Sequence, residues 1–398
     1  MKTEVVIGLV GVIVTAIGVV AAYIVIRPTR RSSRPAAVAE ERDRFKRRLR
    51  QLRDSQVTLG DEFLERSPRG WRAIDTIPVL AKAGWILDGP QDVGKIDINL
   101  RPDPDDPSIS RLRDASRVLR GMSLAGNMTY SEAIRDVNPN TQYFNGTIYR
   151  PVGLDTDGSA PLSMTFGVAG YFDYLDTSEV LAYEATLHPK NLGVRRRITD
   201  PFDLTNRVAS LGILTLTIQR SRSGATFIMH KRSGNFAVGD ALYHVVPAGE
   251  FTPADVGQAA IRADFELWRN IVREYAEELL NIPDAQGTGG RRLDYEHASP
   301  YQKMVQAIRD DRFRLYTFGL ALDPLTFKPE LLTVAVIDKT VFDKIFPSPL
   351  PETGEGVVVE DIPFTEENVR DYIDASTTRH GAKACLSLAW QYRDELDL

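Results

Sequence analysis

The sequence predicts an α+β protein with a single membrane-spanning helix at its N-terminus. Three observations lead to this fold class. An uncharged run from Val5 to Ile26 has the length of a transmembrane helix. Short apolar runs bounded by turn residues recur through the rest of the chain and are typical of strands, and between them lie segments with helical apolar spacing. Hydrophobic residues make up 43% of the 398 residues and charged residues 26%, which excludes a disordered or fibrous protein.

The charge balance and the cysteine content exclude several classes of protein. The chain has 49 basic and 54 acidic residues and a net charge of −5. An acidic chain is a poor candidate for a protein that binds duplex nucleic acid. The single cysteine, Cys385, excludes an internal disulfide framework and a multi-cysteine zinc site, and it is typical of a reducing compartment.

The run from Val5 to Ile26 predicts an uncleaved membrane anchor. As a helix these residues would span about 33 Å, enough for a hydrocarbon core of about 30 Å. The charged residues before the run are Lys2 and Glu4, whereas 11 basic residues follow it between Arg27 and Arg53. The positive-inside rule therefore places residues 1–4 outside the cell and the main part of the chain in the cytoplasm. We expect a single-pass protein of the cell membrane, with the lipid bilayer as a partner.

Small residues recur along one face of this predicted anchor. They are separated by three or four positions, which lets a second helix approach closely: Gly8, Gly11, Thr15, Gly18 and Ala22. The pattern favours a homo-oligomer formed through the anchor. The alternative is that glycine and alanine are simply frequent in membrane helices.

Four regions follow the anchor. Residues 27–57 form a basic juxtamembrane stalk, which contains a charged helix that we expect to be solvated. Residues 58–205 show a mixed pattern and form an α+β extension. Residues 206–346 have the more regular alternation of a second α+β domain, and residues 347–398 form a C-terminal helical segment.

The predicted elements of these regions follow from apolar periodicity and from the turn residues between the runs. Strands are expected at residues 84–89, 95–100, 147–152, 162–168, 211–219, 225–230, 241–246, 314–322 and 331–337. Helices are expected at residues 110–122, 178–187, 254–281, 366–376 and 382–393.

Three glutamates share one face of the helix expected over residues 254–281. Glu274, Glu277 and Glu278 stand at positions i, i+3 and i+4. Because three like charges on one turn repel each other, a neutralising cation would remove that cost. Carboxylate oxygens suit Mg²⁺, or Mn²⁺ in its place, which can in turn hold a substrate's phosphates. Arg273 can pair locally with a carboxylate and hold it in place. The alternative is a surface helix with a solvated acidic face.

This segment resembles the second half of the Nudix signature, Gly-x5-Glu-x7-Arg-Glu-(apolar)-x-Glu-Glu-x-Gly-(apolar). The matching residues are Arg273, Glu274, Tyr275, Glu277 and Glu278, and a Pro-Ala-Gly-Glu turn leads from a predicted strand towards the helix. The resemblance implies that residues 206–346 form a Nudix-like α/β/α sandwich. It also implies a catalytic role for Arg273 and the three glutamates, with the glutamates holding Mg²⁺ or Mn²⁺.

The first half of the signature departs from the family pattern. Its glycine and glutamate fall on Ala259 and Phe265, which cannot serve. We expect Gly249 to replace the glycine, with a longer loop before the helix, and Glu250 or Glu266 to replace the glutamate. The loop that shapes the substrate pocket is therefore altered, which affects substrate and turnover more than fold.

A broader resemblance extends over most of residues 80–395, to an actinobacterial group of uncharacterised Nudix-like proteins. It rests on residues 133–134, 143–145, 200–204, 230–232, 243–251 and 268–274. It implies that the extension and the Nudix-like part form one unit, and it carries no known reaction.

Five residues near the glutamates are predicted to bind the ligand. They lie in the turn or on the strand before it: Gly249, Glu250, His230, Lys231 and Arg232. The last three can receive phosphate oxygens. His244 lies on the adjacent strand, and the alternative for both histidines is a structural role. A further acidic base or ligand is sought among Glu330, Glu355 and Glu360.

Two functions remain open from the sequence. The first is hydrolysis of a nucleoside-diphosphate-type ligand, with Mg²⁺ on the three glutamates. The second is a non-catalytic nucleotide sensor that signals to its membrane helix, similar in layout to effectors of cyclic-oligonucleotide anti-phage systems. The glutamates favour catalysis, whereas the altered first half of the signature, and Leu280 in place of its last glycine, favour sensing.

Overall fold

The computed structural model describes most of the chain after residue 34. The described residues are 35–74, 76–101, 107–117, 128–139, 141, 143–156, 158, 162–187, 192–232, 242–255, 257–282, 293–346, 349–350 and 356–398. They form a mixed α+β structure with two sheets.

The larger sheet has eight strands in the order β1-β9-β10-β5-β6-β11, with β7 paired to β6 and β8 paired to β5. Its central strands β5 and β10 run parallel, and Leu331 lies opposite Ile213. The strand bounds are β1 (Ile86–Asp92), β5 (Gly212–Ser221), β6 (Gly224–Arg232), β7 (Leu242–His244), β8 (Ala248–Glu250), β9 (Phe313–Leu322), β10 (Pro329–Asp338) and β11 (Gly356–Pro363).

The smaller sheet belongs to the region predicted as an extension. Its order is β2-β4-β3, with β2 (Asp97–Leu100) parallel to β4 (Ser163–Gly170), which is antiparallel to β3 (Thr147–Asp155). The α-helices are α1 (Pro35–Arg66), α2 (Pro107–Ser116), α3 (Tyr130–Val137), α4 (Tyr171–Tyr174), α5 (Val180–Ala185), α6 (Gln258–Ala263), α7 (Leu267–Leu280), α8 (Tyr301–Arg309), α9 (Lys339–Ile345), α10 (Glu366–Asp374) and α11 (His380–Gln391).

Helices cover both faces of the larger sheet, which explains why β5 and β10 are buried almost throughout. On one face, the Tyr275 hydroxyl of α7 lies 2.6 Å from the Thr217 hydroxyl of β5. On the other face, Gly381 of α11 packs against Leu214, and the Cys385 thiol donates to the Leu214 carbonyl oxygen. Residues of odd and even number on β5 therefore face different helix layers.

The smaller sheet packs against the larger one through a shared core. Tyr149 of β3 lies 4.5 Å, between ring centroids, from Phe251, which follows β8, and its backbone amide donates to the Phe251 carbonyl. The buried Arg150 donates hydrogen bonds to the carbonyl oxygens of Thr205 and Arg207. These contacts hold the extension against the strands that carry the candidate site.

The membrane prediction is corrected by the structure. The predicted anchor, Val5–Ile26, with its small-residue face, lies outside the described residues. Among the helices of the described part, none is long and apolar enough to cross a bilayer. The longest, α1, has 32 residues and is strongly charged. The predicted single-pass topology and membrane location are therefore not supported by the part of the chain that the structure describes.

The predicted stalk is also not a solvated element. Helix α1 runs past the expected boundary at residue 57 and ends at Arg66. Its side chains Phe45, Leu52, Val57 and Leu64 are buried, and the Phe45 ring packs against Tyr130 and Tyr183. Because this face is covered by the extension and by α11, α1 is part of the folded core.

The long helix expected over residues 254–281 is two helices. A break after Ala263 separates α6 from α7. The carboxylate of Asp264 in this break accepts a hydrogen bond from the Ala254 amide and another from the Tyr295 hydroxyl. Helix α7 ends where it was expected to end: Asn281 adopts a left-handed conformation with a φ of 52°, which asparagine tolerates at a helix C-terminus.

Candidate functional site at the start of the central strands

The candidate site lies where β5 and β10 begin. Glu330 of β10 is opposite Gly212 of β5, and Gly212 is opposite Glu250 of β8 on its other side. These three residues form a row across the sheet. Helix α7 packs beside β8, which brings the glutamates of the helix to the same end of the sheet.

Glu274 lies against a glycine that the sequence singled out. A Cβ atom built on Gly249 would overlap the carboxylate of Glu274. Residue 249 must therefore be glycine if the carboxylate is to keep this position. Glu274 Oε1 also lies 3.4 Å from the Asn270 side-chain nitrogen, which donates to it.

Glu278 is buried beside the same strand. Its Oε1 accepts a hydrogen bond from the Ala248 amide at 2.7 Å. Its Oε2 has no hydrogen-bond partner within the described structure and lies 3.4 Å from Nδ1 of His230, which likewise has none. A buried carboxylate oxygen without a donor is costly, so this oxygen is suited to a ligand that the protein itself does not supply.

Arg273 positions the loop in front of the helix. It is 2% exposed, and its Nη2 donates to the Thr252 carbonyl at 2.7 Å and to the Asn270 side-chain oxygen at 2.8 Å. Asn270 is also the donor to Glu274. Arg273 therefore fixes the chain that leaves β8 and, through Asn270, the carboxylate of Glu274.

Glu277 is partly exposed, unlike Glu278. In the described part of the chain, no group of three or more histidine, cysteine, aspartate or glutamate side chains is arranged to hold a metal ion. The three-glutamate cluster expected from the sequence is thus not assembled as a closed cage. The structure brings Glu274 and Glu278 to β8, one turn apart on the helix.

The two carboxylates nevertheless fit a hard divalent cation. Mg²⁺ usually binds through one or two carboxylates and keeps several waters, so a complete protein cage is not needed. Two features of the site suit such binding. Glu278 Oε2 receives no hydrogen bond within the described residues, with His230 Nδ1 3.4 Å away, and Gly249 leaves space for the Glu274 carboxylate.

A cavity of about 370 Å³ lies beside β8. Ala248, Gly249 and Glu250 line it, so the strand that contacts the two helix carboxylates also forms one wall of the cavity. The other walls carry three cationic side chains, four tyrosines and further polar residues. The cations are Arg232, Lys328 and Arg379, and the tyrosines are Tyr130, Tyr143, Tyr171 and Tyr174.

The charges in this cavity influence each other strongly. Burial lowers the pKa of Lys328, but the neighbouring Glu250 and Glu330 carboxylates more than offset this, and the pKa is raised. The Lys328 ammonium donates to Glu250 Oε1. Burial, with the nearby Asp323, raises the pKa of Glu330 to about 7. Burial and the surrounding Arg379, Arg232 and Lys328 hold the pKa of His244 well below its ordinary value, so this imidazole is neutral.

Most of the predicted ligand-binding residues lie at this site, with one exception. Gly249, Glu250 and Arg232 line the cavity, and His230 contacts Glu278 behind it. Lys231 is exposed and lies on the other face of β6, because successive residues of a strand alternate between its faces. Lys231 is thus separated from the other predicted ligand-binding residues, and its role stays a prediction.

The other acidic residues that the sequence offered as a base or ligand lie in different parts of the structure. Glu330 lines the cavity, whereas Glu360 accepts a hydrogen bond from the Leu350 amide. Glu355 lies outside the described residues. His230 and His244 are paired across β6 and β7, as their positions on adjacent predicted strands indicated.

Sequence reasoning missed the residues that come from distant parts of the chain. Lys328 precedes β10, Arg379 precedes α11, and the tyrosines belong to the extension. No local motif marks them, because the tertiary fold alone brings these segments together. The broader resemblance, which includes residues 143–145, was the one signal that pointed towards the extension.

The chain matches no protein-family model, and no curated protein matches it.

Proposed function

We propose that this protein is a Nudix-like, divalent-metal-dependent protein that binds a nucleoside-diphosphate-type ligand and hydrolyses its phosphoanhydride bond. The contact between Glu274 and Gly249 carries this proposal. It supports Gly249 as the equivalent of the missing glycine, and Gly249 itself lines the cavity that holds three cationic side chains.

The fold supports the same proposal. Helices α7 and α11 cover opposite faces of a mixed sheet, and the short helix α6 lies between β8 and α7. The two helical layers support the proposal, whereas the connection from β8 to α7 differs from the strand–loop–helix setting that the resemblance implied for residues 206–346.

The residues of the site divide between holding a metal and holding phosphate. Glu274 and Glu278 would hold Mg²⁺, with Glu277 within reach on the same helical turn. Bound there, the metal would supply Lewis-acid stabilisation of charge on the phosphate oxygens. Arg232, Lys328 and Arg379 would bind the remaining phosphate oxygens, because guanidinium and ammonium groups make charge-assisted hydrogen bonds with them.

In the hydrolytic step, water attacks one phosphorus atom and the bond from that phosphorus to the bridging oxygen breaks. The proton of the attacking water passes to a carboxylate, and the bridging oxygen leaves with the second phosphate. Glu330 is the cavity carboxylate suited to accept this proton, since it lies in the cavity and its pKa is raised to about 7.

A non-catalytic nucleotide sensor is the second candidate function. The observation that favours it is a direct link between the cavity and α1. Arg379 lines the cavity and donates a hydrogen bond to the side chain of Gln56 in α1. An occupant that binds Arg379 therefore acts on the position of α1, whether or not it is hydrolysed.

The test uses the full-length chain with Mg²⁺ and a panel of nucleoside diphosphate conjugates and cyclic oligonucleotides, with binding and product followed in the same samples. The Glu277→Gln/Glu278→Gln double variant is compared with the control Glu366→Gln/Glu367→Gln, which changes two adjacent exposed glutamates on α10. Mg²⁺-dependent product that is lost only in the first variant supports the hydrolase. Mg²⁺-dependent binding without product supports the sensor. Equal behaviour of both variants, or no Mg²⁺ dependence, overturns the metal site.

A further inference from the structure

The extension contributes an aromatic wall to the cavity. Tyr143 and Tyr171 are partly exposed there, whereas Tyr130 and Tyr174 are buried in the core behind them. The rings of Tyr171 and Tyr174 lie 5.7 Å apart between centroids, at an angle of 43°. The cavity is therefore lined by aromatic rings of the extension as well as by charged residues.

The backbone that carries these rings is held in place. The Asn145 side-chain oxygen accepts the Phe172 amide at 2.7 Å, and the Gly146 carbonyl accepts the Tyr171 amide at 2.9 Å. These bonds connect the loop of Tyr143 to the start of α4, so the two segments that carry the rings are held together. A wall ordered before a ligand arrives reduces the entropy lost on binding.

The inner end of the cavity is polar and charged. The Tyr174 hydroxyl donates to Glu179 at 2.7 Å, and Lys328 is bonded to Glu250. A smaller cavity of about 100 Å³ shares five of these lining residues and reaches α1: Tyr174, Glu179, Lys328, Glu330 and Arg379. Together the two cavities have room for a small ligand with one aromatic ring and one anionic group.

We propose that this cavity binds a nucleoside phosphate with its base against Tyr171 and Tyr143 of the extension and its phosphate towards Lys328 and Arg379. The inference rests on the proposed function and deepens it, because it assigns the recognition of the base to the extension and not to the Nudix-like part. Aromatic side chains stack on any base, so the wall selects for a ring and not for one particular base.

The experiment measures binding of ADP, UDP and inorganic pyrophosphate to the full-length chain by isothermal titration calorimetry with Mg²⁺ present. Tyr171→Leu removes the ring but keeps an apolar side chain, and Tyr171→Phe restores the ring without the hydroxyl. Tyr316→Leu is the matched control, because Tyr316 is also partly exposed but lies on β9, away from this cavity.

Base stacking contributes about 1–3 kcal/mol, so Tyr171→Leu is expected to raise the Kd for ADP and UDP by roughly 5- to 150-fold. The Kd of Tyr171→Phe and of Tyr316→Leu for ADP and UDP should stay within about threefold of the wild-type value. The Kd for pyrophosphate should be unchanged in all three variants. Arg379→Gln should weaken the binding of all three ligands, ADP, UDP and pyrophosphate.

Four results would overturn the inference. These are the absence of ADP and UDP binding to the wild type, an unchanged Kd in Tyr171→Leu, an equal loss in Tyr171→Leu and Tyr316→Leu, or a loss for pyrophosphate as large as that for the nucleotides. A parallel Mn²⁺ titration without nucleotide separates this failure from failure of the proposed function. If Mn²⁺ still binds and Glu277→Gln/Glu278→Gln abolishes that binding, only the assignment of the base to the extension is wrong.

Discussion

The carboxylate of Glu274 occupies the space that a side chain on residue 249 would need. Gly249 lies on β8 and Glu274 on α7, so this contact joins the two elements on which the candidate site is built. Along the sequence, a loop and α6 separate Gly249 from the glutamates of α7, so the connection is longer than in the signature. In the folded chain, β8 and α7 pack together, and Gly249 still contacts Glu274.

This contact predicts the effect of one added methyl group. Gly249→Ala should displace the Glu274 carboxylate, cost about 1–3 kcal/mol of unfolding free energy, and weaken Mn²⁺ binding at least about tenfold. Gly257→Ala is the matched control, since a Cβ on Gly257 meets nothing within 4 Å and its φ is −69°. Calorimetric titration with Mn²⁺ and urea unfolding measure the two effects. Equal Mn²⁺ affinities in the two variants would show that the position of Glu274 does not matter for metal binding.

A second prediction concerns Arg273 as a positioning residue. Arg273→Met leaves the Thr252 carbonyl oxygen and the Asn270 side-chain oxygen without this donor. The substitution should therefore lower the unfolding free energy by about 2–4 kcal/mol. Arg262→Met removes an exposed arginine of the neighbouring α6 and should change stability by less than about 0.5 kcal/mol. Urea unfolding of both variants tests this. Similar stabilities would mean that Arg273 does not hold the loop.

The raised pKa of Glu330 predicts a pH-dependent stability. Between its ordinary value of 4.5 and its folded value of about 7, the native state keeps a proton that the unfolded chain has lost. The stability contributed by this group therefore falls as the pH rises through that interval. Glu330→Gln should remove this pH dependence. The unfolding free energy of the variant, relative to that of the wild type, should therefore rise by up to about 3 kcal/mol between pH 5 and pH 8.

The measurement for this prediction is urea unfolding of both proteins at several pH values, because other titrating groups cancel in the difference. Glu366→Gln, at an exposed position of α10, is the control and should show a difference independent of pH. A constant difference between wild type and Glu330→Gln would contradict the proposed burial of the Glu330 charge.

A fourth prediction tests whether α1 belongs to the folded core. Phe45 is 1% exposed and contacts the rings of Tyr130 and Tyr183, so Phe45→Ala should cost about 3–5 kcal/mol. Phe144→Ala makes the same chemical change at a side chain that is 57% exposed and should cost less than about 0.5 kcal/mol. Thermal unfolding compares the two. If Phe45→Ala were as stable as Phe144→Ala, α1 would be the solvated stalk that its charge indicates.

The strands were the most predictable part of the fold. Continuous apolar runs placed β5 and β10 within two residues of their observed ends, since buried central strands must be apolar on both faces. Strand β11 was not expected, because its residues alternate between buried and exposed only at its start. The segment from Ala248 to Glu250 was expected as a turn, and it becomes a strand by pairing with β5, a long-range contact that local sequence does not encode.

The prediction of a solvated stalk from the high charge of α1 was wrong. The basic residues of α1 predict a solvated helix, but a helix needs only one apolar stripe to pack, and Phe45, Leu52, Val57 and Leu64 form one. At the candidate site, the spacing of the glutamates placed them on one face of α7, and two of them, Glu274 and Glu278, contact β8 in the structure. It did not show that Lys328, Arg379 and Tyr171 lie across the cavity, because they are separated from α7 by whole elements of the fold.

The central claim is that Glu274 and Glu278 bind a divalent cation, and Mn²⁺ titration of the full-length chain tests it most directly. Electron paramagnetic resonance reports free Mn²⁺ for the wild type, for Glu278→Gln and for the control Glu367→Gln, an exposed residue of α10. We predict saturable binding to the wild type and to Glu367→Gln, and binding at least about tenfold weaker to Glu278→Gln. Equal binding by all three proteins, or no saturable binding to the wild type, would contradict the account.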